Sequence, residues 1–483
     1  MRKVLSFFRR HPISSIIVIL LLYVAIGALA PFAVPGQLSV DEKTFSKEDY
    51  YTEDPDTLSA DRAHIVEENQ EALTQRIRML ELARKEVILS TFDFREDEST
   101  TDLSAAIYHA ARRGVKVNIL VDGMSGLLRM EGKPFFYALS SHPNIHIRIY
   151  NPVNPLRPWS INGRMHDKYV ICDDQLLLLG GRNTFDYFLG SYPTDSRSYD
   201  REVLIYNTDF KNGCTNSVIS QVKAYFQSIW ESSYVKDFHD QESLSSQKSV
   251  QKKILLLEDR YKTLSDLYPE CFQDYSYQEH TVPTQKTCLI FGPVTPYGKK
   301  PYVWNTLQCL MASAREKVIL HTPYVVLDKK MSFGIKEISQ NVSDFSMIIN
   351  SVENGDNVIA SSDYLLHKQQ VLDTGAALYE FDGGQSSHGK SILIDDDLSL
   401  IGSYNLDMRS TYMDTELMLC VQSKELNQEL LGYLNSYLAQ SRRILDKNNY
   451  EMPKGMIPQT MPLPKQILYR ILGPLLQPFR YVA

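Results

Sequence analysis

A duplicated run of residues constrains this chain more than any other feature. Residues 164–183 read R-M-H-D-K-Y-V-I-C-D-D-Q-L-L-L-L-G-G-R-N, and residues 386–405 read S-S-H-G-K-S-I-L-I-D-D-D-L-S-L-I-G-S-Y-N. Counting from each His, both copies place Lys at +2, Asp at +7, Gly at +14 and Asn at +17, and the copies lie 222 positions apart. With 11 histidines in the chain, a Lys at +2 with an Asp at +7 arises by chance roughly a few hundredths of a time. A second echo precedes each copy: A-R-K-E-V-I-L-S-T at 83–91 matches A-R-E-K-V-I-L-H-T at 314–322, offset by 231. The chain is therefore two related halves, and 483 residues give each half room for a full domain.

Local pattern fixes the kind of fold. Residues 61–86 carry Leu73, Ile77 and Leu80 at helical spacing, ahead of the apolar strand at 87–91. A second helix over 103–113 closes at Gly114 and leads into a strand over 115–121. Helices alternating with β-branched strands predict a mixed sheet flanked by helices in each half.

The chemistry follows from the spacing. Reading 166–173 as a strand puts His166 and Lys168 on one face and Asp173 on the other. The Asp-rich turns at 173–174 and 395–397 lead into return strands over 176–179 and 398–401. The glycines that follow are expected to bend the chain back and carry Asn183 and Asn405 toward the imidazoles. Two halves facing each other then make a pocket of two His, two Lys and two Asn. Such a set suits a phosphodiester: Lys and Asn hold the charge that builds on the non-bridging oxygens. One imidazole attacks phosphorus while the other protonates the departing alkoxide. No metal-ligand spacing accompanies the set, so no metal or other cofactor is expected and the lysines do that charge work. An imidazole in this role needs a carboxylate on its other nitrogen. Y-D-R-E-V at 199–203 and M-D-T-E-L at 413–417 supply candidates, and Glu202 and Glu416 are assigned as the orienting pair.

At these residues the sequence resembles the phospholipase D superfamily, with R-M-H-D-K…G-G-R-N and S-S-H-G-K…G-S-Y-N similar to its cardiolipin synthase branch. The resemblance covers roughly residues 60–445. It implies two pseudo-twofold-related α/β lobes sharing one active site, a covalent phosphohistidine and no metal. It implies His166 as nucleophile and His388 as general acid, with Lys168, Lys390, Asn183 and Asn405 gripping the phosphate. Asp173 and Asp395 take the motif's last position, read here as support. It implies phosphatidyl transfer from a phospholipid such as phosphatidylglycerol to a lipid hydroxyl, with glycerol released. Hydrolysis of phospholipid or nucleic acid by the same intermediate is the alternative.

The ends point to lipid. Residues 13–30 run for 18 positions without a charge, enough to cross a hydrocarbon core. Arg2, Lys3, Arg9 and Arg10 precede the run and Asp41 and Glu42 are the first charges after it, which predicts an N-terminus in the cytoplasm and a catalytic part outside it. A cleaved signal peptide is the competing reading, disfavoured by the length of the run. The segment 463–483 is apolar but broken by Gly473, Pro474 and Pro478, and reads as interfacial or as packed back on the domain. The expected layout is anchor at 1–36, acidic linker at 37–60, first lobe at 61–245, inter-lobe linker at 246–284, second lobe at 285–447 and membrane-interfacial tail at 448–483. The net charge of −7 disfavours a nucleic-acid partner, and six Cys without a C-x-x-C pair exclude a zinc ribbon.

Overall fold

The computed structural model describes residues 11–43, 45–54 and 56–482. Arg2, Lys3, Arg9 and Arg10, on which the expected membrane orientation rests, lie outside the described residues. Each half builds a nine-stranded mixed sheet. The first runs, edge to edge, through Val282–Pro283, Asp61–Val66, Glu202–Asn207, Leu176–Gly180, Tyr169–Cys172, Glu86–Thr91, Lys116–Asp122, Ile145–Tyr150 and Val235–Asp237. The second runs through Lys286–Phe291, Leu417–Gln422, Leu398–Gly402, Ser391–Ile394, Lys317–His321, Asp344–Asn350, Ala377–Phe381, Ser441–Ile444 and Tyr450–Glu451. Without the short Val282–Pro283 and Tyr450–Glu451 edges, the two orders are the same, strand for strand.

The central strands are apolar on both faces because both faces are covered. Leu176, Leu177, Leu178 and Leu179 are all buried, two turned toward the first lobe's outer helices and two toward the other lobe. Between the sheets lies a shared core that joins Ile65, Ile88 and Val203 to Ile319, Leu393 and Leu419. The helices Val218–Trp230 and Lys424–Leu438 complete this middle layer with Ile219, Phe226, Leu430 and Leu434. The halves are thus fused through a hydrophobic interior.

Three expectations change. Residues 61–86 are not one helical stretch: Asp61–Val66 is a strand, and the helix is Asn69–Leu82. Ala63, Ile65 and Val66 are buried in sheet positions, so tertiary packing overrides the helical reading there. The 246–284 stretch is no loose connection, since its helix Lys248–Leu267 buries Val250, Leu257 and Leu264 in the first lobe's core. The acidic 37–60 stretch straps the second lobe, with Tyr51 donating to Asp397 at 2.9 Å and the Thr52 amide to Gln422 at 2.9 Å. Pro12–Phe32 is long and apolar enough to cross a membrane. All six cysteines are unbridged.

Candidate active site

Each motif histidine enters the inter-lobe cleft beside a short cross-lobe β-bridge. Met165 pairs with Thr415, and the next residues on each side are His166 and Glu416. Ser387 pairs with Tyr199, and the next residues are His388 and Asp200. The result is reciprocal: His166 Nδ1 lies 2.9 Å from Glu416 of the second lobe, and His388 Nδ1 lies 2.7 Å from Asp200 of the first. The histidines and lysines precede the strands instead of lying in them, since these begin at Tyr169 and Ser391.

Lys168 and Lys390, each 1 % exposed, lie behind the imidazoles and donate to the carbonyls of His166 and His388 at 2.5 Å. Lys390 Nζ also sits 3.0 Å from His388 Nε2. His166, His388, Asn183 and Asn405 line one cavity of about 310 Å³. The Asn183 side-chain carbonyl accepts from the Asp93 amide, which leaves its NH₂ to donate. Phe92, Asn183 and His388 also border a second, larger cavity of about 830 Å³. Tyr187 of the first lobe and Tyr324 of the second both donate to Asp356, at 2.9 and 2.7 Å, where the two cavities meet. Among the described residues no group of three or more His, Cys, Asp or Glu side chains is placed to hold a metal ion.

The electrostatics separate the two imidazoles. Burial pushes His166 well below the ordinary imidazole value, and Lys168 and Lys390 push the same way. Burial and Lys390 also lower His388, but Asp200 opposes them. Burial alone would raise Asp200, yet Lys390 and His388 outweigh it and hold the carboxyl at about 2. Burial raises Glu416 to about 8 against the pull of Lys168. Burial lowers Lys168 to about 7 and Lys390 to about 8. At neutral pH His166 is an unprotonated base beside a largely protonated acid, while His388 faces a full carboxylate.

Comparison with known proteins assigns the family. Residues 76–230 and 307–438 match the family described as cardiolipin synthase, PLD-like domain. The chain belongs to that family. Both motif copies fall inside the matched stretches. Cardiolipin synthase C of Escherichia coli K12 is 24 % identical over 404 residues, spanning 75 % of this chain and 82 % of that protein. An uncharacterized protein of Helicobacter pylori 26695 is 24 % identical over 421 residues, spanning 78 % and 80 %. Among solved structures, phosphatidylserine synthase of Haemophilus influenzae Rd KW20 superposes with a TM-score of 0.61 at 16 % identity, covering 87 % of this chain and 95 % of its own. The fold is therefore that of phospholipase D-like proteins.

Two site expectations need correction, those for Glu202 and for the motif glycines. Glu202 does not meet an imidazole: Arg76 grips it at 2.5 and 2.8 Å, and Arg182 lies 3.5 Å away. Asp200 takes its place, a residue two positions earlier in the same candidate run. Asp173 and Asp395 do not line the cavity. They sit just past their strands with φ of 56° and 50°, and each gathers three backbone amides. Asp173 accepts from Arg84, Lys85 and Glu86 at 2.8–2.9 Å, and Asp395 from Arg315, Glu316 and Lys317 at 2.9–3.1 Å. This is why the two sequence echoes travel together: the motif aspartates cap the A-R-[KE]-[EK]-V turns. The motif glycines serve close approach instead of bending, because a Cβ at Gly180 would overlap the Arg201 carbonyl and one at Gly402 the Leu417 carbonyl.

Proposed function

We propose that the chain is a membrane-anchored phosphatidyltransferase of the cardiolipin synthase type. The observation that carries the reading is the pair of imidazoles facing one cavity, each held by a carboxylate from the opposite lobe and backed by a buried ammonium. In the first step His166 Nε2 attacks the phosphorus of phosphatidylglycerol. The bond from phosphorus to the glycerol oxygen breaks, and His388 gives that oxygen its proton. In the second step His388 takes the proton of an incoming lipid hydroxyl, whose oxygen attacks phosphorus and displaces His166. Lys168, Lys390 and the Asn183 and Asn405 amides carry the charge on the non-bridging oxygens. His166 is unprotonated at neutral pH, which leaves it free to act as nucleophile, and the ionised Asp200 opposes the lowering of His388 and so favours a proton passing through it. The positive residues ahead of the apolar helix support a catalytic part outside the cytoplasm, which a reporter fused after residue 36 tests.

Lipid mass spectrometry on a host lacking its own cardiolipin synthases tests the reaction. Expression of the chain restores cardiolipin, and His166→Ala leaves none. Phosphatidic acid in place of cardiolipin assigns water as the acceptor and overturns the transferase reading.

A further inference from the structure

The helix Leu463–Leu476 packs one side on Val358–Leu372 through Tyr469, which is 2 % exposed, and Gly473. Its opposite side carries Leu463, Ile467, Ile471 and Leu475, a single i, i+4 row exposed at 66, 49, 54 and 63 %. Among the described residues nothing covers this row, and Arg470 lies exposed beside it. Beyond the helix, residues 477–482 fold back along the second lobe, tied by Arg480 to Asp363 at 2.9 Å. They end at the active site, where Val482, Ile359 and Ala360 wall the cavity that holds His166 and His388.

Arg409 links this wall to the apolar N-terminal helix. Its Nη1 donates to the Val482 carbonyl at 3.3 Å, and its Nη2 donates to the Asn162 carbonyl at 2.8 Å. Asn162 in turn donates to the carbonyl of Ala28, in the last turn of Pro12–Leu29. The cavity wall and the exit of the membrane-length helix are therefore two hydrogen-bonded side chains apart. Leu156 and Trp159, exposed at 76 and 40 %, lie on the same loop, which also receives the Tyr23 hydroxyl through the Leu156 carbonyl.

We propose that this face rests on a lipid bilayer, with the Leu463–Ile467–Ile471–Leu475 row in its acyl region and Ile359 and Val482 at the mouth where a lipid's chains enter. The occupant is the bilayer because the segment that follows the row is tied through Arg409 and Asn162 to the membrane-length helix, and a flanking arginine suits anionic headgroups. The entry route rests on the lipid substrate proposed above, whereas the docking of the row does not. A substrate phosphate then reaches His166 while its chains stay in the membrane.

The test uses the full chain reconstituted into phosphatidylglycerol–phosphatidylethanolamine vesicles with brominated acyl chains. In an Ile471→Trp variant the introduced indole loses more than half of its added fluorescence, and in a Phe272→Trp variant, on the outer face of the first lobe, it loses none. An unquenched indole at 471, including one shielded in a dimer, overturns the docking. An Ile467→Ser/Ile471→Ser double variant turns over vesicle lipid at least tenfold more slowly at unchanged Tm, and wild-type turnover overturns the entry route. Quenching in a wild-type background that makes no lipid product sinks the phosphatidyltransferase reading and leaves the docking standing.

Discussion

The two halves present the same imidazole to different carboxylates at the same place in the fold. Strand register pairs Gly180 with Glu202 and Gly402 with Met418, so Asp200 and Glu416 are counterparts, each one residue past its cross-lobe bridge at Tyr199 or Thr415. Glu416 meets His166 and Asp200 meets His388. What differs is the acid itself and its surroundings. The first copy carries Glu202 where the second has Met418, and Arg182 in G-G-R-N, together with Arg76, occupies it. The second copy has Tyr404 at the matching position, and its hydroxyl bonds Thr411 instead. Glu416 there receives the hydroxyls of Ser403 and Ser410 and remains open to His166. A duplicated motif thus yields one imidazole beside a fixed charge and one beside a carboxyl that titrates near 8. Repetition in sequence became division of labour.

The largest expected effects probe that division directly. His166→Ala and His388→Ala each abolish lipid product, but they part on a p-nitrophenyl phosphodiester, whose leaving group needs no proton. The His388→Ala enzyme still releases one equivalent of nitrophenol in a burst and then stalls, while His166→Ala gives no burst. Rapid-mixing absorbance at 400 nm reads the difference, and the reverse pattern would swap the two roles. Next in size is the carboxylate pair. Asp200→Asn lowers kcat by roughly 10²-fold or more, the scale of lost general acid–base catalysis, with little change in Tm. Glu202→Gln acts through stability, because Arg76 and Arg182 are left buried without their counter-charge, at a cost of about 3–5 kcal/mol. Thermal melting beside kcat on the folded enzyme separates them, and equal catalytic losses would put Glu202 back at the site.

A smaller effect tests the ammonium groups. Lys168 and Lys390 are lowered by burial to about 7 and about 8, so their charge is lost as pH rises through that range. Charge on both is expected to hold the phosphate, and kcat/KM for the free enzyme therefore falls as pH rises above about 7. His166 stays unprotonated well below its ordinary value, so no matching loss from it appears between pH 6 and 7. A pH profile flat to 10 would remove the lysine charges from the chemistry.

How much of this was legible in the sequence depended on whether a residue's partner is local. The duplicated spacing located His166, Lys168, Asn183 and their counterparts, because each copy forms one hairpin whose geometry its own residues determine. The strand at 176–180 and its twin at 398–402 were readable for the same reason. The place of Asp200 was not, since matching the acids of D-R-E and D-T-E pairs Glu202 with Glu416, whereas the strand register pairs Asp200 with Glu416. A clue was present in Arg182 against Tyr404, an arginine in the first copy alone that requires a buried acid. The strand at 61–66 was missed because Leu73, Ile77 and Leu80 gave the window a helical period that belongs only to its second part. Likewise the 477–482 segment carries no catalytic residue type, and only its fold-back brings Val482 to the cavity.

The smallest expected effect concerns Asp173 and Asp395, which share the motif with the histidines and lysines and which the structure places just past the ends of their strands, off the cavity. Each carboxylate satisfies three amides at the turn between a helix and the strand that follows it. Asp395 is buried enough to raise its pKa, yet those amides win and hold it below the usual carboxylate range. Asp173→Ala strands the three donors and costs about 1–3 kcal/mol, with kcat per folded molecule within about threefold of wild type. Asp395→Ala follows the same course. For Asp395 the folded-state pKa lies below the unfolded one, so its stabilisation is present above the ordinary carboxylate pKa and is lost as pH falls through the lowered value. Denaturant melts of wild type and Asp395→Ala at pH 7 and near pH 3 check this, and the gap between the two proteins narrows in acid. A loss of turnover as deep as that of His388→Ala, in variants that remain folded, would place these aspartates at the reacting centre.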